Sequence, residues 1–489
     1  MSESTNQTGS ARPPIAILGV PFDNVTTSET LTRIGEMIVS RKPHYLVTAN
    51  VDFIVQARED MELRRILFDA HLVVADGMPL VWASRWLGNP LPERVTGSGL
   101  TPLLLAEAEA RGWRVFFLGG TEQSVAQAAA NTCAKHPHLQ LVGAYSPPFK
   151  PLIEMDHADI LRRLREARAD ILLVAFGCPK QEKWLNMNYR AAGVPVAIGV
   201  GATIDFLAGT MKRAPLWMQK SGLEWIFRLL QEPRRLFRRY FIGLRVFGWA
   251  ILRQVRGMRD GGKPSPTIAP FEIKPMPDAS AIAVKLPAKL NAEVVRADYL
   301  TWMQLPNCGT DVLLEARDLE FVDSTGVGML IRLQQAMREN GRQLVLVAPS
   351  RALVRALAMM KLEEFFTQAS EVRGALELAV ARRCESSVAA RPGPLGAPHP
   401  IVWQGEITAV NVGEVTQSTE SCMVGISGKL TIDLTAVRFI DSSGIGLMVK
   451  LRKEARQRNV EMAFVGASEN VRSVARLLRL EDYLFDTRP

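Results

Sequence analysis

The sequence predicts a mixed α/β protein with one larger domain followed by two copies of a smaller domain. Three observations support this prediction: short apolar segments alternate with helical patterns in the first half, two proline-rich segments interrupt the chain, and the last two pieces repeat each other. The chain has 489 residues, of which 47% are hydrophobic and 22% are charged. This composition is typical of globular domains and excludes collagenous, low-complexity and wholly disordered proteins.

The first domain, residues 14–259, carries seven short apolar segments separated by helical patterns. In chain order they are PIAILGV (14–20), HYLVTAN (44–50), LVVADG (72–77), RVFFLGG (114–120), LQLVGAY (139–145), ILLVAFG (171–177) and PVAIGVG (195–201). Strand–helix alternation of this kind predicts a Rossmann-like, mostly parallel sheet with helices on both faces. Ligands of such sheets bind beyond the carboxyl ends of the strands.

Polar residues follow two of these predicted strands. Asp76 ends the segment LVVADG, where a carboxylate can act as a general base. An Asp-Gly pair is also typical of a turn or a helix cap, and both interpretations stay open. Thr48 and Asn50 end the segment before it, where they can orient a substrate hydroxyl or cap a helix.

Three further strand ends carry candidate residues. Gly119 and Gly120 precede a predicted helix start, which can bind a diphosphate through its backbone N–H groups. Gln181 lies in FGCPKQEKW (176–184). The remaining candidates lie in GVGATIDFLAGTMKRAP (199–215) and are Gly199, Gly201 and Asp205.

Residues 212–259 form a strongly basic segment. It contains twelve Lys or Arg and two acidic residues, a local charge of +10, while the whole chain carries +9. Apolar residues at positions 237, 241, 244, 248 and 251 recur at helical spacing. A basic amphipathic helix with Trp and Phe can lie in a membrane interface. A helix packed on its own domain, or a nucleic-acid-binding stripe, would give the same pattern.

Motifs for several other chemistries are missing from the sequence. There is no D-x-D, Walker A, G-x-S-x-G or H-E-x-x-H motif, and the five cysteines form no C-x-x-C pair. We therefore expect no metal and no cofactor. The polar N-terminal residues lack the basic and then apolar regions of a secretory signal peptide. No segment has 18 uncharged apolar residues in a row, as a membrane-spanning helix would need. The cytoplasm is therefore the expected compartment.

The last two pieces, residues 281–383 and 401–489, are a duplicated domain. With an offset of 118 residues, FVDSTGVGMLIRLQQAMRENGRQLVLV (321–347) aligns without gaps on FIDSSGIGLMVKLRKEARQRNVEMAFV (439–465). The proline-rich segments 260–280 and 384–400 read as linkers. Each repeat has a D-S-[S/T]-G motif before an amphipathic helix. Such residues are good helix caps, and a hydroxyl there can also carry a regulatory phosphate.

Residues 14–245 resemble the WecG/TagA/CpsF glycosyltransferases (glycosyltransferase family 26). The motifs that carry the resemblance are TAN (48–50), VVADGMP (73–79), RVTGSGL (94–100), FFLGG (116–120), GCPKQE (177–182), GVGATIDFLAG (199–209), KRAP (212–215) and GLEWIFRLLQEPRRLFRRY (222–240). The resemblance implies an inverting, metal-independent hexosyltransferase. It would move a sugar of the N-acetylmannosamine type from a UDP-sugar to a polyprenyl-diphosphate-linked acceptor in cell-surface polysaccharide synthesis.

The resemblance also implies roles for individual residues. Asp76 would deprotonate the acceptor hydroxyl, with Thr48, Asn50 and Gln181 in the same pocket. Gly119, Gly120, Gly199, Gly201 and Asp205 would hold the UDP. Arg213, Arg228, Arg235 and Arg238 would approach the diphosphate and an anionic membrane surface. The enzyme is then expected to be a peripheral protein at the inner face of the cell membrane. It is not expected to bind nucleic acid, and whether it forms homo-oligomers is left open.

Both repeats resemble STAS domains of the anti-anti-sigma factors, which bind partner proteins. The resemblance implies that Thr325 and Ser443 accept phosphate and that the partner is an anti-sigma-type kinase or another STAS-binding protein.

The alternative to an active transferase is a catalytically inactive signalling or scaffold protein that acts through these domains. Because a proline-rich linker transmits little rigid geometry, a chain ending near Arg259 is expected to keep its transfer chemistry.

Overall fold

The computed structural model describes residues 12–215, 217–218, 224–231, 233–258, 273–276, 281–387, 390–392, 401–423, 429–458 and 460–485. Separate parallel sheets form the centres of the first domain and of each repeat. This architecture confirms the predicted α/β class.

The first domain is built on a six-stranded parallel sheet. The strands of this domain are β1 (Ile15–Ile17), β2 (Val20–Phe22), β3 (His44–Ala49), β4 (Leu72–Ala75), β5 (Arg114–Gly119), β6 (Gln140–Tyr145), β7 (Ile171–Ala175) and β8 (Val196–Gly199). The order in the sheet is β4-β3-β8-β7-β5-β6, and every neighbouring pair is parallel.

Helices cover both faces of this sheet. They are α1 (Thr27–Ser40), α2 (Val51–Ala57), α3 (Met61–Asp69), α4 (Met78–Trp86), α5 (Gly97–Arg111), α6 (Glu122–Lys135), α7 (His157–Ala167), α8 (Lys180–Ala192), α9 (Thr203–Ala208), α10 (Glu224–Gln231) and α11 (Pro233–Gly257), with a 3-10 turn at Leu152–Glu154. Successive strand residues point to opposite faces. Leu46 and Leu173 therefore belong to one apolar core, and Val47 and Leu172 belong to the other.

The first apolar segment lies outside the six-stranded sheet. Strands β1 and β2 pair antiparallel as a hairpin, which turns at Leu18 and Gly19 with positive φ at both residues. This hairpin could not be predicted from the sequence, because a buried hairpin strand and a buried sheet strand have the same apolar pattern.

Each repeat has a parallel sheet with one antiparallel edge strand. The strands are β9 (Ile273–Pro275), β10 (Ala281–Lys285), β11 (Lys289–Leu290), β12 (Asp311–Glu315), β13 (Phe321–Val322), β14 (Leu344–Val347), β15 (Thr367–Ala369), β16 (Ala390–Pro392), β17 (Ile401–Ile407), β18 (Lys429–Ile440) and β19 (Glu461–Val465). The sheet orders are β15-β14-β12-β10-β9 and β16-β17-β18-β19, and β11 pairs separately with β13. Strands β9 and β16 are the antiparallel ones.

Helices flank these sheets in both repeats. They are α12 (Ala292–Trp302), α13 (Ser324–Glu339), α14 (Arg351–Met359), α15 (Val372–Ser387), α16 (Val412–Met423), α17 (Ser442–Gln457), α18 (Glu469–Leu477) and α19 (Glu481–Phe485), with a 3-10 turn at Leu305–Cys308. The D-S-[S/T]-G motifs lie at the starts of α13 and α17, so the repeat seen in the sequence is also a repeat of structure.

The proline-rich segments do more than link domains. Three residues of each segment, 273–275 and 390–392, form the edge strands β9 and β16, and α15 extends to Ser387. Residues 259–272, 277–280 and 393–400 lie outside the described part of the chain.

The first repeat is docked on the first domain through buried polar contacts. Arg332 of α13 is 6% exposed, and its guanidinium donates to Asp23 Oδ2 at 2.6 Å and to the Ala70 carbonyl at 2.7 Å. Ala16 and Phe68 of the first domain pack into the core of this repeat. The first domain and the first repeat are therefore joined by a buried interface as well as by the proline-rich linker. The expectation that only a linker of little rigidity connects them is wrong, whereas the retained transfer chemistry of a chain ending near Arg259 stays a prediction.

Helix α11 has two apolar faces rather than one. Phe247 and Ile251 are buried in the core of the first domain, whereas Phe241 and Trp249 are 54% and 63% exposed. The alternative of a helix packed on its own domain therefore describes one face of α11. The other face points outward, and its contact with a membrane or with nucleic acid stays a prediction. No helix in the described part of the chain is long and apolar enough to cross a membrane.

Candidate active site

Five adjacent strands of the main sheet end at one edge, and the candidate residues follow from these ends. Thr48 lies near the end of β3, and Asp76 directly follows β4. Gly199 ends β8, Gln181 lies in the first turn of α8 after β7, and Gly119 ends β5. The fold therefore brings to one side the residues that the sequence analysis selected from separate segments.

Asp76 is held between a strand end and a helix start. Its N–H donates to the Ala49 carbonyl at 2.8 Å, and its carboxylate Oδ2 accepts the N–H of Gly97 at 3.4 Å. Gly97 is the first residue of α5, where the helix dipole favours a negative charge. Asp76 is not the cap of the helix that follows it, since Gly77 occupies the N-cap position of α4.

Thr48 and Gln181 pack around the end of β8. The Thr48 hydroxyl donates to the Gly199 carbonyl at 3.4 Å. Gln181 is 4% exposed, and its Oε1 accepts the N–H of Gly201 at 3.2 Å. A Cβ on Gly199 would lie 2.8 Å from Gln181 Nε2, so only glycine leaves room for this amide. Gln181 thus fixes the loop that follows β8.

Asn50 caps a helix as well as lying at the candidate site. Its Oδ1 accepts the N–H groups of Asp52 and Phe53 at 3.0 and 3.3 Å at the start of α2. The capping interpretation from the sequence is therefore correct for the carbonyl oxygen. The amide NH₂ is the part of the side chain that can contact a substrate.

The loop from β5 to α6 has the tight backbone expected of a phosphate-binding turn. Gly119 has φ of 104°, and a Cβ there would lie 2.6 Å from the Ala175 carbonyl oxygen. Gly120 donates its N–H to the same carbonyl at 2.9 Å, and Thr121 then caps α6. Asp205 is half-buried in α9, which starts just after Gly201.

Glu182 is a buried neighbour of Gln181 to which the sequence assigned no role of its own. It is 1% exposed, and its Oε1 accepts a hydrogen bond from Gln181 Nε2 at 2.6 Å. Burial raises the pKa of Glu182 to about 7, against hydrogen bonds from Gln181 and Cys178 that favour the charged form. A glutamate in the first turn of a helix is usually solvated, so periodicity gave no sign of this burial.

The start of α5, in the motif RVTGSGL, also lies at the candidate site, although no catalytic or binding role was assigned to it from the sequence. A Cβ on Gly97 would lie 3.3 Å from the Thr48 hydroxyl, and one on Gly99 would lie 3.7 Å from Arg213 Nη2. The turn RVTGSGL therefore places Thr48, Asp76 and Arg213 around one helix N-terminus. Gly97 and Gly99 are the sequence feature that could have indicated this close packing, because glycine leaves room for neighbouring side chains.

Comparison with known proteins identifies the first domain. Residues 15–261 match the glycosyl transferase WecG/TagA/CpsF family, and residues 289–376 and 401–489 match the STAS domain. The chain belongs to the WecG/TagA/CpsF glycosyltransferase family. It is accordingly a glycosyltransferase with two STAS domains.

Curated relatives of this WecG/TagA/CpsF member include proteins of Staphylococcus aureus. Proteins of strains MW2 and COL, both named N-acetylglucosaminyldiphosphoundecaprenol N-acetyl-beta-D-mannosaminyltransferase, are 29% identical over 226 residues. The match covers 46% of this chain and 87% of each relative.

Solved structures similar to this chain include STAS proteins. A STAS domain protein from Planctomyces limnophilus shares 19% identity and covers 22% of this chain and 97% of its own, with a TM-score of 0.21. A putative anti-sigma factor antagonist from Thermotoga maritima shares 20% identity, covers 22% and 94%, and has a TM-score of 0.20.

The basic C-terminal segment of the WecG/TagA/CpsF domain is connected to the site by an ion pair. Arg94, which begins RVTGSGL, lies 3.1 Å from the buried carboxylate of Glu224 at the start of α10. The backbones of Arg228, Arg235 and Arg238 lie in α10 and α11, and their side chains are outside the described residues.

The two STAS motifs are helix caps in this structure. Asp323 Oδ1 accepts the N–H of Thr325 at 2.8 Å, and Asp441 Oδ1 accepts the N–H of Ser443 at 2.8 Å. Thr325 is fully buried, whereas Ser443 is half-buried. Phosphorylation of Thr325 would therefore require the start of α13 to open, and phosphorylation of Ser443 would require a smaller change.

Proposed function

We propose that this chain is an inverting, metal-independent transferase that moves N-acetylmannosamine from a UDP-sugar to N-acetylglucosamine on polyprenyl diphosphate. The observation that carries the proposal is the position of Asp76. Its carboxylate lies at the N-terminus of α5, on the same sheet edge as Thr48, Gln181 and the Gly119 loop. The Staphylococcus aureus relatives carry this transferred sugar and this acceptor in their name, and they match 226 residues of this chain.

The proposed reaction is a single displacement at the anomeric carbon of the donor. The acceptor hydroxyl oxygen forms the new bond to this carbon from the face opposite UDP, and the bond from carbon to the diphosphate oxygen breaks. Asp76 takes the hydroxyl proton, and the electron pair of the broken bond leaves with UDP. The configuration at the anomeric carbon is thereby inverted.

A cation beside the diphosphate would stabilise the leaving group. Arg213 is a described arginine close to the site, since a Cβ on Gly99 at the start of α5 would lie 3.7 Å from its Nη2. A preorganised guanidinium can offset developing negative charge in a site shielded from water. Arg228, Arg235 and Arg238 follow in α10 and α11 as further candidates.

The Gly119–Gly120 turn and the Gly199–Gly201 loop are proposed to hold the UDP part of the donor. Both lie at strand ends on the carboxyl edge, and the first leads into the N-terminus of α6, where a diphosphate is electrostatically favoured. Gln181 supports this arrangement indirectly, because its amide fixes Gly201.

The outward face of α11 is proposed to hold the enzyme on the anionic inner surface of the cell membrane. Exposed Phe241 and Trp249 lie beside the guanidinium groups of Arg245 and Arg253, at 5.7 and 5.8 Å from the ring centroids. Apolar rings flanked by cations are suited to a lipid headgroup layer. Such placement would bring the site to a lipid-linked acceptor used in surface polysaccharide synthesis.

The direct test is transfer by the purified full-length chain. UDP-N-acetylmannosamine and a synthetic lipid-linked N-acetylglucosaminyl diphosphate are supplied, and both UDP release and the mass of the lipid product are measured. We expect a product heavier by one N-acetylhexosamine. A chain that releases no UDP with this pair, or with UDP-N-acetylglucosamine as donor, would favour the inactive scaffold alternative.

The proposal also predicts that excess chelator leaves activity intact, because protein cations stabilise the leaving diphosphate. Transfer is measured with EDTA and with EDTA followed by Mg²⁺ or Mn²⁺. Loss of activity in EDTA that either metal restores would contradict the metal-independent mechanism.

A further inference from the structure

A buried carboxylate, Glu62, connects the second STAS domain to the candidate active site. Glu62 lies in α3 and is 1% exposed. The ammonium of Lys183 lies 2.8 Å from Glu62 Oε2 and 2.8 Å from Asp60 Oδ2. Ser442 donates its N–H to Glu62 Oε1 at 2.6 Å and its hydroxyl to Glu62 Oε2 at 2.8 Å.

Glu62 needs the second STAS domain for part of its solvation. A buried carboxylate is tolerated only when charges and hydrogen-bond donors replace the lost water. Lys183 supplies a charge from the first domain, and Ser442 supplies two donors from the first position of α17. Undocking of Ser442 would therefore change the surroundings of the Glu62–Lys183 pair.

Lys183 belongs to the same helical turn as the site residue Gln181. Gln181, Glu182 and Lys183 are all buried in the first turn of α8. Gln181 faces the Gly201 loop through its amide, and Lys183 faces Glu62. The first turn of α8 is thus fixed on one side by the contact of Gln181 with the Gly201 loop. On the other side it is fixed by the contact of Lys183 with Glu62 at the STAS interface.

Apolar contacts and a second ion pair support the same docking. Ile153 of the first domain packs against the core of the second STAS domain. Arg65, from the same helix as Glu62, lies 2.9 Å from the carboxylate of Glu406 and 5.7 Å from the centroid of the Phe439 ring. The Ser442 contact is therefore part of a built interface.

We propose that the second STAS domain positions Gln181 of the transferase site through Ser442, Glu62 and Lys183, so that sugar transfer depends on this docking. The inference rests on the proposed function and adds a means of regulating it. Glu62 and Lys183 are positioning residues, since neither lies among the groups assigned to substrate.

The two repeats differ in how they would respond to a negative charge at the first motif serine. Ser442 faces the Glu62 carboxylate, with Asp441 next to it. The equivalent Ser324 hydroxyl accepts a hydrogen bond from the Gln254 amide at 2.9 Å. An amide can donate to an added anion, whereas a buried carboxylate repels it. The second repeat is therefore the charge-sensitive one.

The experiment compares Ser442→Asp with Ser443→Asp in the full-length chain. Both variants add one negative charge at the start of α17, but only position 442 contacts Glu62. Transfer is measured as kcat and KM with UDP-N-acetylmannosamine and the lipid-linked acceptor. Hydrogen–deuterium exchange is followed over residues 180–192.

For Ser442→Asp we expect kcat to fall at least tenfold and exchange over 180–192 to rise, while circular dichroism stays that of a folded chain. Ser443→Asp should match the wild type in both measurements. Combining Ser442→Asp with Glu62→Gln should recover at least half of the lost kcat, because an amide can donate to the new carboxylate. A purely steric effect would not be rescued in this way.

Ser442→Ala is the milder variant if the aspartate prevents folding. It removes only the hydroxyl donor, and we expect a two- to fivefold lower kcat with increased exchange over 180–192. Wild-type kcat and exchange in Ser442→Ala and Ser442→Asp, or an equal loss in Ser443→Asp, would overturn the inference. A wild-type chain without transfer activity would overturn the proposed function alone, because exchange over 180–192 still reports the contact.

Discussion

At the residue scale, the proposed chemistry depends most on Asp76. Its carboxylate accepts the N–H of Gly97 at the start of α5, and its own N–H is fixed by Ala49. An asparagine has nearly the same shape and can still accept the Gly97 N–H. The substitution therefore removes the base while it leaves the local backbone intact.

We expect Asp76→Asn to lower kcat by about 10²- to 10⁴-fold, the usual contribution of a general base. UDP affinity, measured by calorimetry, should stay near the wild-type value. Asp156→Asn is a control outside the site, since this aspartate caps α7 and asparagine caps equally well. Near-normal turnover of Asp76→Asn would exclude Asp76 as the base.

Two buried carboxyl groups predict a pH-dependent stability. Burial raises the pKa of Glu182 to about 7, and burial together with Glu62 raises the pKa of Asp441 to about 7. A carboxyl with a raised pKa in the folded state contributes stability at low pH that is lost as the pH rises through the folded value. Each group can contribute up to about 1.4 kcal/mol per pH unit between its unfolded and folded pKa.

We therefore expect the thermal unfolding midpoint of the wild type to fall between pH 5 and pH 8. Glu182→Gln and Asp441→Asn should each make this decline shallower, because each removes one group that must ionise in a buried place. Calorimetry across this pH range measures the effect. Parallel curves for the wild type and both variants would contradict the assigned pKa shifts.

Some of these residues could be predicted from sequence, and others could not. Asp76, Thr48 and Gln181 follow apolar strand segments, so a parallel sheet places them on one edge. Glu182 and Glu62 could not be selected, because their burial depends on what packs over them. Sequence periodicity shows that a residue faces inward, but it does not identify the partner that covers a charge.

At the scale of the element, α11 combines two roles that the sequence could not separate. The helical spacing of positions 237, 241, 244, 248 and 251 predicted one apolar face. In the structure Phe241 is exposed and Ile251 is buried. Positions at this spacing spread around a helix of about 3.6 residues per turn, so the series spans the border between the face that packs on the first domain and the outward face.

We expect the outward face of α11 to bind anionic vesicles. Phe241→Ser combined with Trp249→Ser should reduce co-sedimentation with phosphatidylglycerol vesicles severalfold, because exposed apolar area is lost. Binding by the wild type should weaken as salt increases, since cations such as Arg245 and Arg253 are screened. Leu300→Ser, an exposed apolar residue of α12, is the control. Equal sedimentation of all variants would contradict the membrane role.

At the scale of the whole molecule, docking makes the first repeat part of the transferase fold. The duplicated domains and the parallel sheet could be predicted from strand–helix alternation and from the 118-residue offset. The docking could not, because Arg332 in an amphipathic helix has the same sequence pattern as a solvated arginine. A chain ending near Arg259 would uncover Ala16 and Phe68, so the structure favours lower stability for such a chain.

We expect Arg332→Ala to destabilise the chain by about 3 kcal/mol, because the buried carboxylate of Asp23 loses its partner at 2.6 Å and keeps Arg33 at 3.8 Å. Asp23 still accepts the N–H of Val73 at 2.7 Å in this variant. The expected loss is therefore at the low end of the roughly 3–5 kcal/mol that breaking a buried ion pair costs. Arg338→Ala is the matched control, because its pair with Asp69 is partly exposed and should contribute about 1 kcal/mol or less. Denaturant unfolding measures both, and equal losses would contradict a buried interface at Arg332.

The short strands β9 and β16 have a consequence for solubility. An open sheet edge offers unpaired N–H and C=O groups to which a strand of another molecule can add. Here β9 covers one edge of β10 and β16 covers one edge of β17, and each ends in proline, which has no N–H to donate. The proline-rich segments therefore protect one sheet edge of each repeat from the addition of a strand of another molecule. Deleting them would expose β10 and β17 as templates for intermolecular pairing.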